Sequence, residues 1–272
     1  PGSRAYPEKV LGAGIQSGAV VKRYVALGSS MAAGPGIAPR ADGSPRMAQR
    51  SARNYPHLVA SALALDLVDV TYSGATTAHV LTDSQRGARP QIEALDGTET
   101  LVTVTIGGND VGYVPLLFAA SLPRWTRSVP LLGNRLRDLL DPEARGRALT
   151  EVEAALVEVG RTVRSRAPHA TVLFVDYLTL LPPAGPAPPL ADSDVALGRR
   201  VAAALRRATA AAAEATGAGL VRAAEASVEH HAWSSQPWTT RPGLPVPGRP
   251  APLHPNAQGM QAVADLIERA LR

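Results

Sequence analysis

Tyr24-Val-Ala-Leu-Gly-Ser-Ser-Met-Ala-Ala-Gly34 is the stretch from which the rest of the chain can be read. Tyr24 to Leu27 is a short apolar run with a β-branched residue, suited to a first strand buried on both faces of a parallel sheet. It stops at Gly28; Ser29 and Ser30 follow, and Met31 to Ala33 begin a helical turn that Gly34-Pro35-Gly36 interrupts. A serine between the carboxyl end of a strand and the amino end of a helix lies where open α/β sheets take their ligands. Its hydroxyl is exposed there, and its N–H is ready to face an oxyanion. The same residues also suit a plain serine cap of the helix, and this segment alone leaves both readings open.

Working outward, the pattern repeats. Leu67–Tyr72, Leu101–Ile106, Thr171–Tyr177 and Leu220–Ala224 read as further strands, the clearest being Leu-Val-Thr-Val-Thr-Ile106. Between them, Asn54–Leu65, Thr77–Asp83, Pro90–Leu95, Thr150–Arg166 and a long segment to Ala215 carry helical spacing, the last capped by Asp192 or Ser193. Pro255–Leu271 closes the chain as a helix. This alternation predicts a single doubly wound parallel sheet of about five strands in a three-layer α/β/α sandwich, spanning residues 24–272. Residues 1–23 form an irregular lead-in whose Pro1-Gly2-Ser3 resembles a cloning scar. Residues 115–142, apolar but broken by prolines, read as an insertion near the site, either a wall or cap or a packed helical hairpin.

Composition narrows the possible functions. Of the 272 residues 45% are apolar but only 4% aromatic, so the core leans on Ala, Val and Leu. The net charge of +5 comes almost wholly from arginine, with Lys9 and Lys22 the lone lysines. That spread, beside abundant Ala and Pro, is expected to reflect coding bias rather than a basic surface. With no block of like charges and no nucleic-acid motif, no nucleic-acid partner is expected. The absence of cysteine excludes disulfides, thiolate chemistry and cysteine-ligated metals. No apolar run reaches the length of an integral membrane segment, and no leader pattern is visible, so secreted and cytoplasmic locations both stay open. No cofactor is expected, and no metal: His230-His231 point apart on an extended segment and have no carboxylate at ligand spacing. His57, His79 and His169 read as surface or helix residues, and Asp110 as a structural hydrogen-bonder.

Ser30, Ser73-Gly74, Gly107-Gly108-Asn109-Asp110 and His254-Pro255-Asn256 follow strands or precede the last helix. The strand ends of a parallel sheet share one edge, so Ser30, Gly74 and Asn109 can converge. Acyl transfer needs a nucleophile, a base in hydrogen-bond reach and donors aimed at the oxyanion. Ser30 supplies the oxygen and His254 the candidate base. The N–H groups of Ser30 and Gly74 and the Asn109 amide are candidate donors. Trp233 and Trp238 are candidates to line a substrate's acyl pocket or, equally, to pin their loop.

In order and spacing these blocks resemble the SGNH hydrolases, also called GDSL esterases and lipases, from roughly Tyr24 to Leu271. The resemblance implies a flavodoxin-like fold, Ser30 as nucleophile, His254 as general base, and an oxyanion hole of Ser30, Gly74 and Asn109. It implies a small-molecule or lipid ester as substrate. This chain departs from the family twice. Ser29 stands where an aspartate is usual, with a local effect expected. Ala251 stands where the family commonly places an aspartate three residues before the histidine. A Ser30–His254 dyad is therefore expected, similar to the actinobacterial esterase branch, with the Ala251 carbonyl accepting from Nδ1; Glu225, Glu229 or Asp176 are alternative partners. The leading reading is a serine ester hydrolase working through an acyl-enzyme. Its rivals are an acyltransferase or carbohydrate deacetylase with the same site, and a non-catalytic binding protein with a degenerate site.

Overall fold

The computed structural model describes residues 22–123, 125–126, 129 and 132–272. The lead-in up to residue 21 lies outside them. Five runs form strands: β1 (Arg23–Gly28), β2 (Asp66–Asp69), β3 (Glu99–Thr105), β4 (Thr171–Val175) and β5 (Gly219–Val221). All neighbours pair in parallel, in the order β2-β1-β3-β4-β5. The connections carry α1 (Ser30–Ala33), α2 (Tyr55–Leu63) and α3 (Thr77–Leu81); α4 (Tyr113–Ser121), α5 (Leu132–Leu140) and α6 (Pro142–Arg166) follow β3. Beyond β4 comes α7 (Asp192–Ala215), and beyond β5 come α8 (Ala223–Ala226) and α9 (Ala257–Ala270).

Side chains that alternate along each strand feed two separate cores. Val25 and Leu27 of β1, Val102 and Val104 of β3, and Val172 and Phe174 of β4 pack with α3, α4, α6 and α7. Tyr24, Ala26, Leu101, Leu173 and Val175 pack with α2 and α9 on the opposite face. The result is the three-layer α/β/α sandwich. A fully buried side chain such as Leu156 of α6 or Ile267 of α9 contributes about 2 kcal/mol by leaving water. Hydroxyls on the polar positions of β3 find partners: Tyr24 to Thr103 and Tyr55 to Thr105, each at 2.7 Å.

Within residues 115–142, two prolines that look like breakers sit in first turns, where no intrahelical N–H bond is required. Pro115 lies in the first turn of α4; Pro142 opens α6, and the Asp141 carboxylate accepts from the N–H groups of Glu143 and Ala144. Helix α6 consequently starts well before the expected Thr150. Leu116 and Leu117 of α4 are fully buried, and Leu117 crowds Gly198 of α7, where a Cβ would stand 2.8 Å from it. The N-cap of α7 also differs from expectation. It is Ala191, with no side-chain bond, and Asp192 falls inside the first turn.

Candidate active site

The parallel sheet delivers the ends of β1 and β3 to the same edge, and the loops there are stitched together. Ser29 N–H donates to the Thr105 carbonyl (2.9 Å), and Tyr72 N–H to the Gly28 carbonyl (2.9 Å). The Gln91 side chain holds the Gly28 peptide from both sides, accepting from its N–H at 2.7 Å and donating to its carbonyl at 3.0 Å. Gly28 fits because a Cβ there would stand 2.7 Å from the Thr105 carbonyl oxygen. Ser29 is the N-cap of α1 but makes no side-chain cap bond, and Ser30 occupies the first helical position. The capping alternative for Ser30 therefore gives way. Its Oγ lies 2.8 Å from His254 Nε2, across 224 residues of sequence.

His254 Nδ1 lies 2.8 Å from the Pro252 carbonyl oxygen. A carbonyl only accepts, so the proton sits on Nδ1 and Nε2 is left bare toward the serine hydroxyl. This corrects the expectation for Ala251, whose carbonyl instead accepts from Thr240 Oγ1 at 2.6 Å. The reason is local backbone geometry. Leu253 is buried and held at φ +61, a left-handed conformation rare for a branched residue. That turn folds the Pro252 carbonyl back under the imidazole. Thr240 also accepts from the His254 N–H (3.2 Å), and its own N–H donates to the His254 carbonyl (2.9 Å), so one threonine braces the whole base loop. Among the described residues no carboxylate bonds the His254 ring: its Nδ1 faces the Pro252 carbonyl, and the Asp176 side chain accepts from Ala224 N–H at the start of α8. Burial lowers the His254 pKa from its usual range, and the bond to Pro252 opposes that only in part.

Gly74 adopts φ +82, and nothing but the Gln85 amide lies within 4 Å of where its Cβ would be. The N–H groups of Ser30 and Gly74 donate to no group among the described residues. The Asn109 amide nitrogen donates one hydrogen to the Ala75 carbonyl at 2.8 Å, which fixes the side chain beside the Gly74 loop and leaves its second hydrogen. Asp110 reinforces the same junction by accepting from the Thr77 N–H (3.0 Å) and hydroxyl (2.5 Å). A serine hydroxyl on a bare imidazole nitrogen, beside free N–H donors, is an arrangement suited to acyl transfer.

Residues 26–262 match the GDSL-like lipase/acylhydrolase family. The chain belongs to it. Lipase 2 of Streptomyces coelicolor is 34% identical over 251 residues, which cover 89% of this chain and 83% of that protein. An extracellular lipase of Streptomyces rimosus superposes with a TM-score of 0.75 at 25% identity, over 92% of this chain and all of the other. Phospholipase A1 of Streptomyces albidoflavus shares the fold, with a TM-score of 0.72 at 23% identity over 92% of this chain and 99% of that one. This GDSL-family chain is a carboxylic ester hydrolase of the serine type.

Other sequence candidates have structural duties. Trp238 stacks on His230 with ring centroids 4.0 Å apart, and Trp233 Nε1 donates to the Pro188 carbonyl at 3.0 Å. Both pin the loop between β5 and α9. A cavity of about 320 Å³ beside Tyr177 is lined by Leu178, Leu180, Leu181, Leu205 and Val228, and neither tryptophan is in its wall. His57 bonds the Asn54 side chain and His79 caps α3 with Thr76. His231 Nδ1 accepts from the Trp233 N–H. Among the described residues no cluster of three metal-ligating side chains occurs, and no helix is long and apolar enough to cross a membrane.

Two contributors escaped the sequence reading. The buried Tyr177 hydroxyl accepts from the Gly108 N–H (2.9 Å) and lies 3.2 Å from Ser29 Oγ, joining the first and third blocks. Its place just past β4, on the edge shared by the other site loops, was the available signal. Thr240 offered none, since its role depends on a loop meeting itself.

Proposed function

We propose that Ser30 is the nucleophile, that His254 is its general base and that the Pro252 carbonyl orients the imidazole. The N–H groups of Ser30 and Gly74 and the free Asn109 amide hydrogen stabilise the oxyanion. Ser30 Oγ attacks the ester carbonyl as Nε2 takes its proton; the tetrahedral oxyanion collapses, and the protonated imidazole returns the proton to the departing alkoxide. Water, deprotonated by the same nitrogen, then releases the acid and regenerates the serine. The observation that carries this reading is the 2.8 Å contact between Ser30 Oγ and a His254 nitrogen left bare by its partner bond to Pro252. A backbone carbonyl orients the ring but offers no full negative charge to the imidazolium, so the site relies on its oxyanion donors.

Lipid or other carboxylic esters are the proposed substrates, in keeping with the lipases and phospholipase to which the chain is similar. Secretion belongs to the same proposal, supported by the extracellular lipase of Streptomyces rimosus. A fluorophosphonate probe followed by peptide mass spectrometry tests the assignment. One adduct on Ser30 is expected, lost in Ser30→Ala and slowed at least a hundredfold in His254→Ala. Labelling elsewhere, or labelling indifferent to His254, overturns it. Running p-nitrophenyl butyrate with and without alcohol or sugar acceptors separates hydrolysis from transfer.

A further inference from the structure

We propose that the rim around Ser30 and His254 docks on an anionic lipid surface, through apolar tips on two loops ringed by arginines without acidic partners. The proposal rests on the ester-hydrolase reading for what the docked site does, and not for the docking itself.

The first loop, residues 36–53, follows α1. Ser51 N–H donates to the Ala33 carbonyl (2.8 Å), and the Ala48 carbonyl accepts from the Ser73 N–H (3.1 Å), so this loop runs from the nucleophile helix to the Gly74 turn. The second, residues 241–253, leads into His254. It abuts the first: Ala251 N–H donates to the Pro35 carbonyl at 2.9 Å. Gly36 lies so close to the Arg249 carbonyl oxygen that a Cβ would stand 2.1 Å from it. Both loops therefore flank the same serine and imidazole.

Their outward side chains are unlike an ordinary solvated rim. Leu244 is 80% exposed, and Val246 and Met47 are each 50% exposed. Pro242, Pro245, Pro247 and Pro250 keep the second loop extended, so Leu244 and Val246 stand clear of either core. Along the same two loops, Arg40, Arg46, Arg53, Arg241 and Arg249 are exposed, and Asp42 is the sole acid in them. Arg40 donates to the Ser44 carbonyl and Arg241 to the Ala232 carbonyl, bonds that leave their charges uncompensated. Among the described residues none of the five has a carboxylate at ion-pair distance. Isolated apolar tips that enter the acyl boundary, with guanidinium groups at headgroup level, fit a membrane bearing negative headgroups. Each such arginine strengthens adsorption about fivefold. Nucleic acid would use the charges but not Leu244 or Val246.

Sedimentation with vesicles of phosphatidylglycerol and phosphatidylcholine, against phosphatidylcholine alone, tests the proposal in the Ser30→Ala chain, which leaves the lipid intact. Binding to the anionic vesicles is expected to be at least tenfold tighter and to weaken with salt. Leu244→Ser/Val246→Ser should lower it at least tenfold, and Arg46→Gln/Arg249→Gln should erase most of the anionic preference. In an otherwise wild-type chain, Leu244→Ser/Val246→Ser should leave turnover of soluble p-nitrophenyl butyrate unchanged. Equal binding to both vesicles, indifference to both double variants, or displacement by duplex DNA with no effect of the Leu244/Val246 changes overturns the proposal. Anionic vesicle binding without any soluble-ester turnover in the wild type would instead sink the hydrolase reading and leave the docking surface standing.

Discussion

The Tyr177 hydroxyl accepts one N–H from the third block and touches the serine that precedes the proposed nucleophile. Its burial pushes its pKa up to about 12, so it stays a neutral phenol throughout the working range. Removing that oxygen leaves the Gly108 N–H without its acceptor, a loss of about 1–3 kcal/mol. Tyr177→Phe is accordingly expected to lower kcat about tenfold, with KM changed less than twofold, in steady-state assays on a soluble ester. A second expectation concerns His254. As the proposed base it must be neutral, and its pKa lies below the ordinary 6.5 because burial disfavours the imidazolium. The neutral fraction rises with pH, so the acidic limb of kcat/KM should fall below pH 6.5, with a plateau above it. A limb centred near 7.5 would contradict this. The meeting of Ser30 with His254, and the placing of Asn109 beside the Gly74 loop, could be expected from the sequence because short blocks with fixed spacing carry these residues. The choice of Pro252 over Ala251 could not be, since it depends on the left-handed Leu253 and on Thr240 arriving from across the loop.

Elements are where periodicity served well and end signals served less well. The five strands announce themselves as short runs that each carry at least one β-branched residue, and their alternation feeds apolar side chains to two cores. Pro115 and Pro142 misled as breakers because a proline in a first turn and a proline that ends a helix look alike until the preceding residues are placed. Gly108 is another case that spacing alone cannot weigh. A Cβ there would lie 2.2 Å from the ring of Tyr177, which is half-buried and already bonded at its hydroxyl. Gly108→Ala should therefore destabilise the fold by about 1–3 kcal/mol, seen as a lower denaturant midpoint, and should reduce turnover by displacing the ring from Ser29. A variant as stable and active as the parent would show that Tyr177 moves aside freely.

At the scale of the whole molecule, Asp176 makes stability depend on pH. Burial raises its pKa from 3.8 to about 6, against bonds from the backbone of Ala223 and Ala224 that favour the carboxylate. The folded state thus binds its proton more tightly than the unfolded chain. The resulting stabilisation is complete below pH 3.8 and is lost as pH rises through about 6. Asp176→Asn keeps an acceptor for Ala224 and removes the titration. Its advantage over the parent should grow between pH 4 and 7 in urea melts, and a constant difference would refute the assignment.

The contact between Ser30 and His254 also has a consequence for biosynthesis. A ribosome makes this chain from the amino end, so β5 is complete at Val221 before the imidazole at position 254 has emerged. A nascent protein can therefore possess the five described strands and Ser30 while still lacking His254, the proposed acceptor of its proton. On the proposed mechanism, catalytic competence arrives only when the loop carrying His254 has been made and has met Ser30.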